Sequence, residues 1–186
     1  MGNKEKSLAS GDVLFTDASV NSQLKRGVGG YLILPATILE TSPSSIEKAD
    51  IIGRLVLRRC AGVGSTQMEI RTIIWALEDY QSTLTGSGHE ELSVYTDSQC
   101  IADLSRRRSG LENKNYIGKK TNGEIKNATL YRKLYSLYDE LNMNVVKVAG
   151  HSRVASHDTV HRIFSIVDRE VRKALRSWME EIKRGV

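Results

Sequence analysis

The chain reads as an α/β domain, a mixed β-sheet with helices packed on it, and three observations predict that class. Apolar runs with a period of two come first, helical stripes with a period near 3.6 come later, and the two kinds then interleave in the order β-β-β-α-β-α-α-β-α. Short links among the first three strands predict an antiparallel meander, whereas helical crossovers between the last strands predict parallel pairing. The 186 residues suit one compact domain with a real core. Residues 1–10 are expected to be a frayed tail and residues 11–186 a single domain.

Each element follows from its pattern. In residues 12–19, Val13, Phe15 and Asp17 share one face, and Leu14, Thr16 and Ala18 share the other. Asn21 to Arg26 is polar and turn-like. Gly27 to Leu34 reads as a second strand, residues 41–45 (Thr-Ser-Pro-Ser-Ser) as a loop, and Ile51 to Cys60 as a third strand. Gly62 and Gly64 mark a break, after which Ser65 or Thr66 can cap a helix carrying Ile70, Ile73, Ile74 and Leu77 on one stripe. Gly86-Ser87-Gly88 ends that connection. Leu92 to Asp97 is the fourth strand, and a helix begins near Ser98 and ends at Arg106-Arg107-Arg108-Ser109-Gly110, where cations favour the dipole. Residues 109–126 are polar and Lys-rich. Asn127 to Asn142 is a helix with Leu130, Leu134, Leu137 and Leu141 in line and Tyr131, Tyr135 and Tyr138 at the edge of the core. Asn144 to Ala149 is the fifth strand. The segment from Gly150 to about Thr159 is a loop, and the last helix runs from about Val160 to Ile182, with Val167, Val171, Ala174, Leu175, Trp178 and Met179 facing inward.

Bulk composition excludes some classes. The balance of 27 Lys+Arg against 22 Asp+Glu gives a net charge of +5, which permits polyanion binding without establishing it. Cys60 and Cys100 form no Cys-x-x-Cys pattern, so neither a zinc module nor a disulfide scaffold is indicated, and both are expected as buried thiols in a reducing compartment. The N-terminal segment lacks the apolar stretch of a signal peptide, and no apolar run is long enough to span a membrane. The expectation is a soluble cytoplasmic monomer.

Four acids carry the chemistry: Asp17, Glu69, Asp97 and Asp168. Asp17 and Asp97 end two similar strands, Phe15-Thr16-Asp17-Ala18-Ser19 and Tyr95-Thr96-Asp97-Ser98-Gln99. A carboxylate at the end of an apolar strand is poorly hydrated unless a cation meets it, most simply a divalent metal. Glu69 by itself could merely favour the first turn of its helix, and Asp168 could pair with Arg169 or Arg172 on a helix surface. Order and spacing turn both toward the metal. His157 and His161 stand four apart with Asp158 between them, but no third ligand supports a zinc site.

With Thr66-Gln67-Met68-Glu69-Ile70, Ala149-Gly150-His151 and Val167-Asp168-Arg169 in the same order, the chain resembles the type I ribonuclease H family over roughly residues 10–178. The resemblance implies a five-stranded mixed sheet, three antiparallel strands followed by parallel ones, with helices on both faces. It implies hydrolysis of the RNA strand of RNA–DNA hybrids, leaving 5′-phosphate and 3′-hydroxyl ends. It implies two Mg²⁺ ions, replaceable by Mn²⁺, held by Asp17, Glu69, Asp97 and Asp168, and it gives His151 the part of a mobile histidine. Two ions about 4 Å apart can activate water, neutralise the phosphate and help the leaving oxygen. Asp17 is expected to bridge them, Glu69 and Asp97 to hold the one nearer the leaving oxygen, and Asp168 the one that activates water.

A hybrid is told from duplex DNA by its 2′-hydroxyl groups and groove shape. Ser19, Asn21, Gln23, Ser65, Thr66 and Gln67 are candidates for such contacts. Arg106, Arg107, Arg108, Lys114, Lys119, Lys120 and Lys126 are candidates to grip phosphates, with Arg107 and Lys120 foremost. Residues 109–126 contain no Trp and look too broken for the basic helix of some family members. The interval from His151 to Asp168 is also longer than in the best-known bacterial members. The rival reading is a non-catalytic RNA- or hybrid-binding module on the same fold. A proofreading exonuclease would show Asp-x-Glu on its first strand, where this chain has Asp17-Ala18-Ser19.

Overall fold

The structure, a computed structural model, describes residues 11–84, 91–118, 122–149 and 158–185. Ten-residue strands β1 (Asp12–Asn21) and β2 (Arg26–Pro35) pair antiparallel through a tight polar turn, in which Lys25 takes a positive φ of 47°. The link onward contains two short 3₁₀ turns and α1 (Lys48–Arg54) before β3 (Val56–Ala61) returns antiparallel to β2. Helix α2 (Ser65–Thr83) then leads to β4 (Leu92–Thr96), which pairs parallel with β1. Helices α3 (Gln99–Ala102), α4 (Leu104–Glu112) and α5 (Ala128–Glu140) carry the chain to β5 (Met143–Lys147), parallel to β4, and α6 (Thr159–Arg184) closes the fold. The sheet order is β3-β2-β1-β4-β5, with three antiparallel strands followed by two parallel additions, as the sequence predicts.

Alternation along β1 divides the core in two. Leu14 joins Tyr31, Leu92, Val94 and the inner faces of α2 and α5, while Val13 and Phe15 join Val28, Leu32 and the inner face of α6. Helices therefore cover both faces. Close approach on the α2 side requires Gly29, because a Cβ there would stand 2.0 Å from the Thr72 hydroxyl oxygen.

Five expectations are corrected. The segment from Ile51 to Arg54 is helix, not strand: Ile51 alone is buried, Ile52 is exposed, and Asp50 and Arg54 suit the two ends of a short helix. Neither Ser65 nor Thr66 caps α2; both are helical, and Gly64 takes the cap position without a side-chain bond. The arginine run does not end its helix. The break falls earlier, at Asp103, and Arg108 bonds Glu112 one turn on, carrying α4 past Gly110. Cys60 and Cys100 are half-buried, the first because β3 is an edge strand and the second because it meets the Tyr131 hydroxyl at 3.1 Å. Tyr131 and Tyr135 lie deeper than the expected core edge, inside it. Among the described residues no helix is long and apolar enough to cross a membrane.

Candidate active site

The parallel register of β1 and β4 pairs Thr16 with Thr96, so Asp17 and Asp97 follow on the next rung of neighbouring strands. In-register parallel strands project equivalent side chains to the same face. One turn of the pleat earlier, Phe15 and Tyr95 stack with centroids 5.0 Å apart, and both pack with the α6 cluster. Asp17 and Asp97 therefore point to the α6 side, where Asp168 meets them one residue beyond buried Val167. Glu69 comes from α2, on the opposite face of the sheet. It reaches the strand ends by accepting a 2.7 Å hydrogen bond from the Ser98 hydroxyl, adjacent to Asp97. Ser98 also caps α3 by accepting from the Ile101 N–H, which fixes its position.

Charge is costly here. Asp17 is 8% exposed. Its carboxyl is pushed up to about 7 by burial first, then by the charges of Asp97 and Asp168; the Ala18 backbone N–H and the Arg172 guanidinium pull the other way. Arg172, one turn after Asp168 on α6, donates to the Asp168 carboxylate and is held charged chiefly by it, with help from Asp17 and Asp97. A cation thus already stands among these acids.

Among the described residues no three acidic, histidine or cysteine side chains close up into a ready metal cage. The donor set nonetheless fits a hard divalent ion. It is all carboxylate oxygen, Asp97 and Asp168 raise the proton affinity of Asp17, and the compensating charge is a side-chain guanidinium.

The expected substrate contacts divide. Ser19 and Asn21 lie on the outer half of β1 and Gln23 is exposed in the turn after it, where the Asn21 side chain accepts from the Leu24 N–H at 3.0 Å. Ser65, Thr66 and Gln67 form the first turn of α2, directly before Glu69, and the buried Gln67 Oε1 has no partner among the described residues. Arg107 is turned toward the protein: it donates to Cys100 Sγ at 3.1 Å and lies 5.1 Å over the Tyr131 ring. Arg106 is bound to Asp103, and Arg108 to Glu112 and Asp139. His151, Lys119, Lys120, His89 and His157 lie outside the described residues. His161 pairs with Asp158, the N-cap of α6, at 2.8 Å. Sequence reasoning weighed Arg172 only as a surface partner of Asp168 and passed over a cleft beside the end of β1. Its signal was the recurrence of Arg172, Arg176 and Lys183 along the face of α6 that carries Asp168.

The family model described as RNase H matches residues 10–174. No protein of curated function matches the chain. Among solved structures, the N-terminal RNase H domain of rv2228c from Mycobacterium tuberculosis is similar at a TM-score of 0.59 and 14% identity, over 93% of this chain and 99% of that one. A foamy viral protease-reverse transcriptase in complex with RNA/DNA hybrid is similar at 0.60 and 8% identity, over 89% of this chain but 20% of the longer one. LC9-RNase H1, a type 1 RNase H with the type 2 active-site motif, is similar at 0.55 and 18% identity, over 80% and 67%.

Proposed function

Because the chain belongs to the RNase H family, its model spanning residues 10–174, we propose that it is a divalent-metal-dependent endonuclease hydrolysing the RNA strand of RNA–DNA hybrids. The observation that carries this reading is the meeting of Asp17, Asp97 and Asp168 at the end of the central strands, where burial and mutual repulsion push Asp17 to about 7. So many acids in so little water have no structural use without a cation.

Asp17, Glu69, Asp97 and Asp168 would hold Mg²⁺ or Mn²⁺, two ions in the full site. Ions held there supply Lewis acidity toward the phosphate and lower the pKa of a bound water. The chain's own residues do the rest. Asp17, whose carboxyl is pushed up by burial and its acidic neighbours, would give up its proton on binding such a cation. Ser98 keeps the Glu69 carboxylate turned to the strand ends. Ser65, Thr66 and Gln67 on α2, with Ser19, Asn21 and Gln23 after Asp17, offer small polar groups for 2′-hydroxyl contacts on the RNA strand. The Gln67 Oε1, without a partner among the described residues, is an acceptor suited to a hydroxyl. His151 would move a proton or hasten product departure. Lys120 would add to the grip on phosphate, whereas Arg107, laid on Tyr131 and bonded to Cys100, is held by the fold.

The test is incubation of end-labelled hybrid, duplex DNA, duplex RNA and single strands with Mg²⁺, Mn²⁺ or EDTA. The expected result is cutting of RNA in the hybrid alone, with 5′-phosphate and 3′-hydroxyl ends, and its loss in EDTA and in a folded Asp17→Asn variant. Salt-dependent hybrid binding without cleavage by any ion would make the protein a binding module instead.

A further inference from the structure

Helix α6 continues past the family match, and residues 175–184 have a built-in anchorage. Leu175 and Met179 are buried, and Trp178 faces the guanidinium groups of Arg26 at 5.9 Å and Arg59 at 5.4 Å. Arg59 is held in turn by Glu181 through two hydrogen bonds of 2.5 and 2.8 Å. The extension is thus fastened to the end of the meander that carries the β1–β2 turn, where Asn21 pairs with Arg26 and Arg26 with Ala61.

Between this extension and β1 opens a cleft of about 350 Å³, lined by Val20, Asn21, Leu175, Arg176, Met179, Glu180 and Lys183. Its floor is apolar and its rim is charged. Glu180 lies 3.8 Å from Arg184, which offsets it. Arg176 and Lys183 are exposed, and neither forms an ion pair with a described residue, in contrast to Arg58, Arg59, Arg106, Arg108, Arg132 and Arg172. The cations that sequence singled out on α4 are committed to the fold; these two are available.

They also lie in line with the acids. Asp168, Arg172, Arg176 and Lys183 recur at helical spacing on one face of α6. At 1.5 Å per residue, Arg176 stands about 12 Å and Lys183 about 22 Å beyond Asp168 along the axis. With about 3.4 Å of rise per nucleotide, those lengths reach about four and seven nucleotides from the scissile bond.

We propose that this cleft is a second subsite, in which Arg176 and Lys183 grip backbone phosphates of the hybrid about four to seven nucleotides from the cut. The side-chain amide of Asn21 offers the sugar–phosphate a hydrogen bond from the β1 side. The inference rests on the hybrid-nuclease reading and supplies that reading with a grip that α4 does not provide.

The experiment uses the full chain carrying Arg176→Ala and Lys183→Ala together, both compatible with helix, with Lys133→Ala, the loss of one cation beside Glu78, as a control away from the cleft. Binding of a fluorescent 20-base-pair hybrid is followed by anisotropy in EDTA between 50 and 200 mM salt. Losing two phosphate contacts should flatten the log–log slope by about 1.8, so that the double variant loses about 12-fold less affinity than wild type across that range. Hybrids shortened to fewer than about four base pairs beyond the cut on one side should erase the difference between the two proteins. A slope equal to wild type, or an equal flattening in Lys133→Ala, overturns the subsite while leaving cleavage by wild type as evidence for the nuclease. Wild type that neither binds nor cuts the hybrid in preference to duplex DNA overturns the nuclease reading and the subsite with it.

Discussion

Replacing Asp17 with Asn in metal-free protein should stabilise it, increasingly so as pH rises. The Asp17 carboxyl moves from 3.8 to about 7 on folding. At 1.36 kcal/mol per unit, about 4 kcal/mol of stability depends on its proton. A carboxyl whose folded pKa is raised binds its proton more tightly in the native state. Between about pH 4 and 7 the native protein therefore holds a proton that the unfolded chain has lost, and stability falls as pH rises through that window. Above 7 both states are ionised and the full penalty stands. Asparagine has the same shape and no charge, so the variant should draw level with wild type near pH 4 and exceed it by about 4 kcal/mol at pH 8. In a domain of this size that corresponds to about 8–16 °C in Tm. Urea titrations in EDTA from pH 4.5 to 8.5 measure the gap. A gap that stays within about 1 kcal/mol across the range would refute the assignment of a buried, repelled carboxyl to Asp17. Because burial is the largest cause, ahead of Asp97 and Asp168, Asp97→Asn should narrow the effect without removing it. Adding Mg²⁺ at pH 8 should close the gap from the wild-type side; a gap indifferent to Mg²⁺ would show that these acids do not hold the ion.

Arg172→Gln removes the guanidinium that holds Asp168 and lowers Asp17, so the Asp17 midpoint should rise above 7 and Mn²⁺ should bind about threefold to tenfold more tightly by calorimetry. Unchanged affinity would mean that arginine and metal do not compete. Gly29→Ala should cost about 3 kcal/mol in urea unfolding, since its Cβ meets Thr72 Oγ1. Thr72→Ala in the same chain should recover part of that loss, and no recovery would place the strain elsewhere. Arg108→Ala breaks exposed pairs with Glu112 and Asp139, costs about 1 kcal/mol or less, and leaves the salt slope of hybrid binding unchanged. A slope reduced by about one would return α4 to the substrate interface.

The fold was legible where local pattern and tertiary demand agree. The strict alternation of β1 decides which residues face α2 and which face α6, and the buried stripe of α2 follows its period of 3.6. Pattern failed at Ile51-Ile52, where two adjacent apolar residues fit a strand as well as a helix and only burial of Ile51 against α6 separates the two. It failed again at the arginine run, because favouring a helix end is a weak preference and the bonds of Arg108 to Glu112 and Asp139 outweigh it. Asp17 and Asp97 could be read as a pair from their strands alone. Glu69 and Asp168 could not, since what brings them in is a Ser98 hydroxyl and the close packing of α6 on the sheet. Composition marks Arg107 and Arg176 alike as surface cations; only the structure shows one laid on Tyr131 and the other at the rim of an open cleft.

That close packing has its own cause, and it can be tested. Gly30 is the register partner of Asp17 on β2. A Cβ at Gly30 would stand 2.4 Å from Val171 Cγ2, so α6 can lie this close to the sheet only over a glycine. Val171 and Asp168 are three residues apart and share a helix face, so whatever lifts Val171 also lifts Asp168 away from Asp17. Gly30→Ala should therefore weaken Mn²⁺ binding and turnover together, on the scale of about 100-fold for an ångström of misplacement, beyond what lost stability explains. Adding Val171→Ala makes room for the new methyl at the cost of a cavity. The double variant should regain metal affinity while staying less stable than wild type. If affinity instead tracks stability through the series, Gly30 serves packing alone, and the position of Asp168 is set by something other than the contact of α6 with β2.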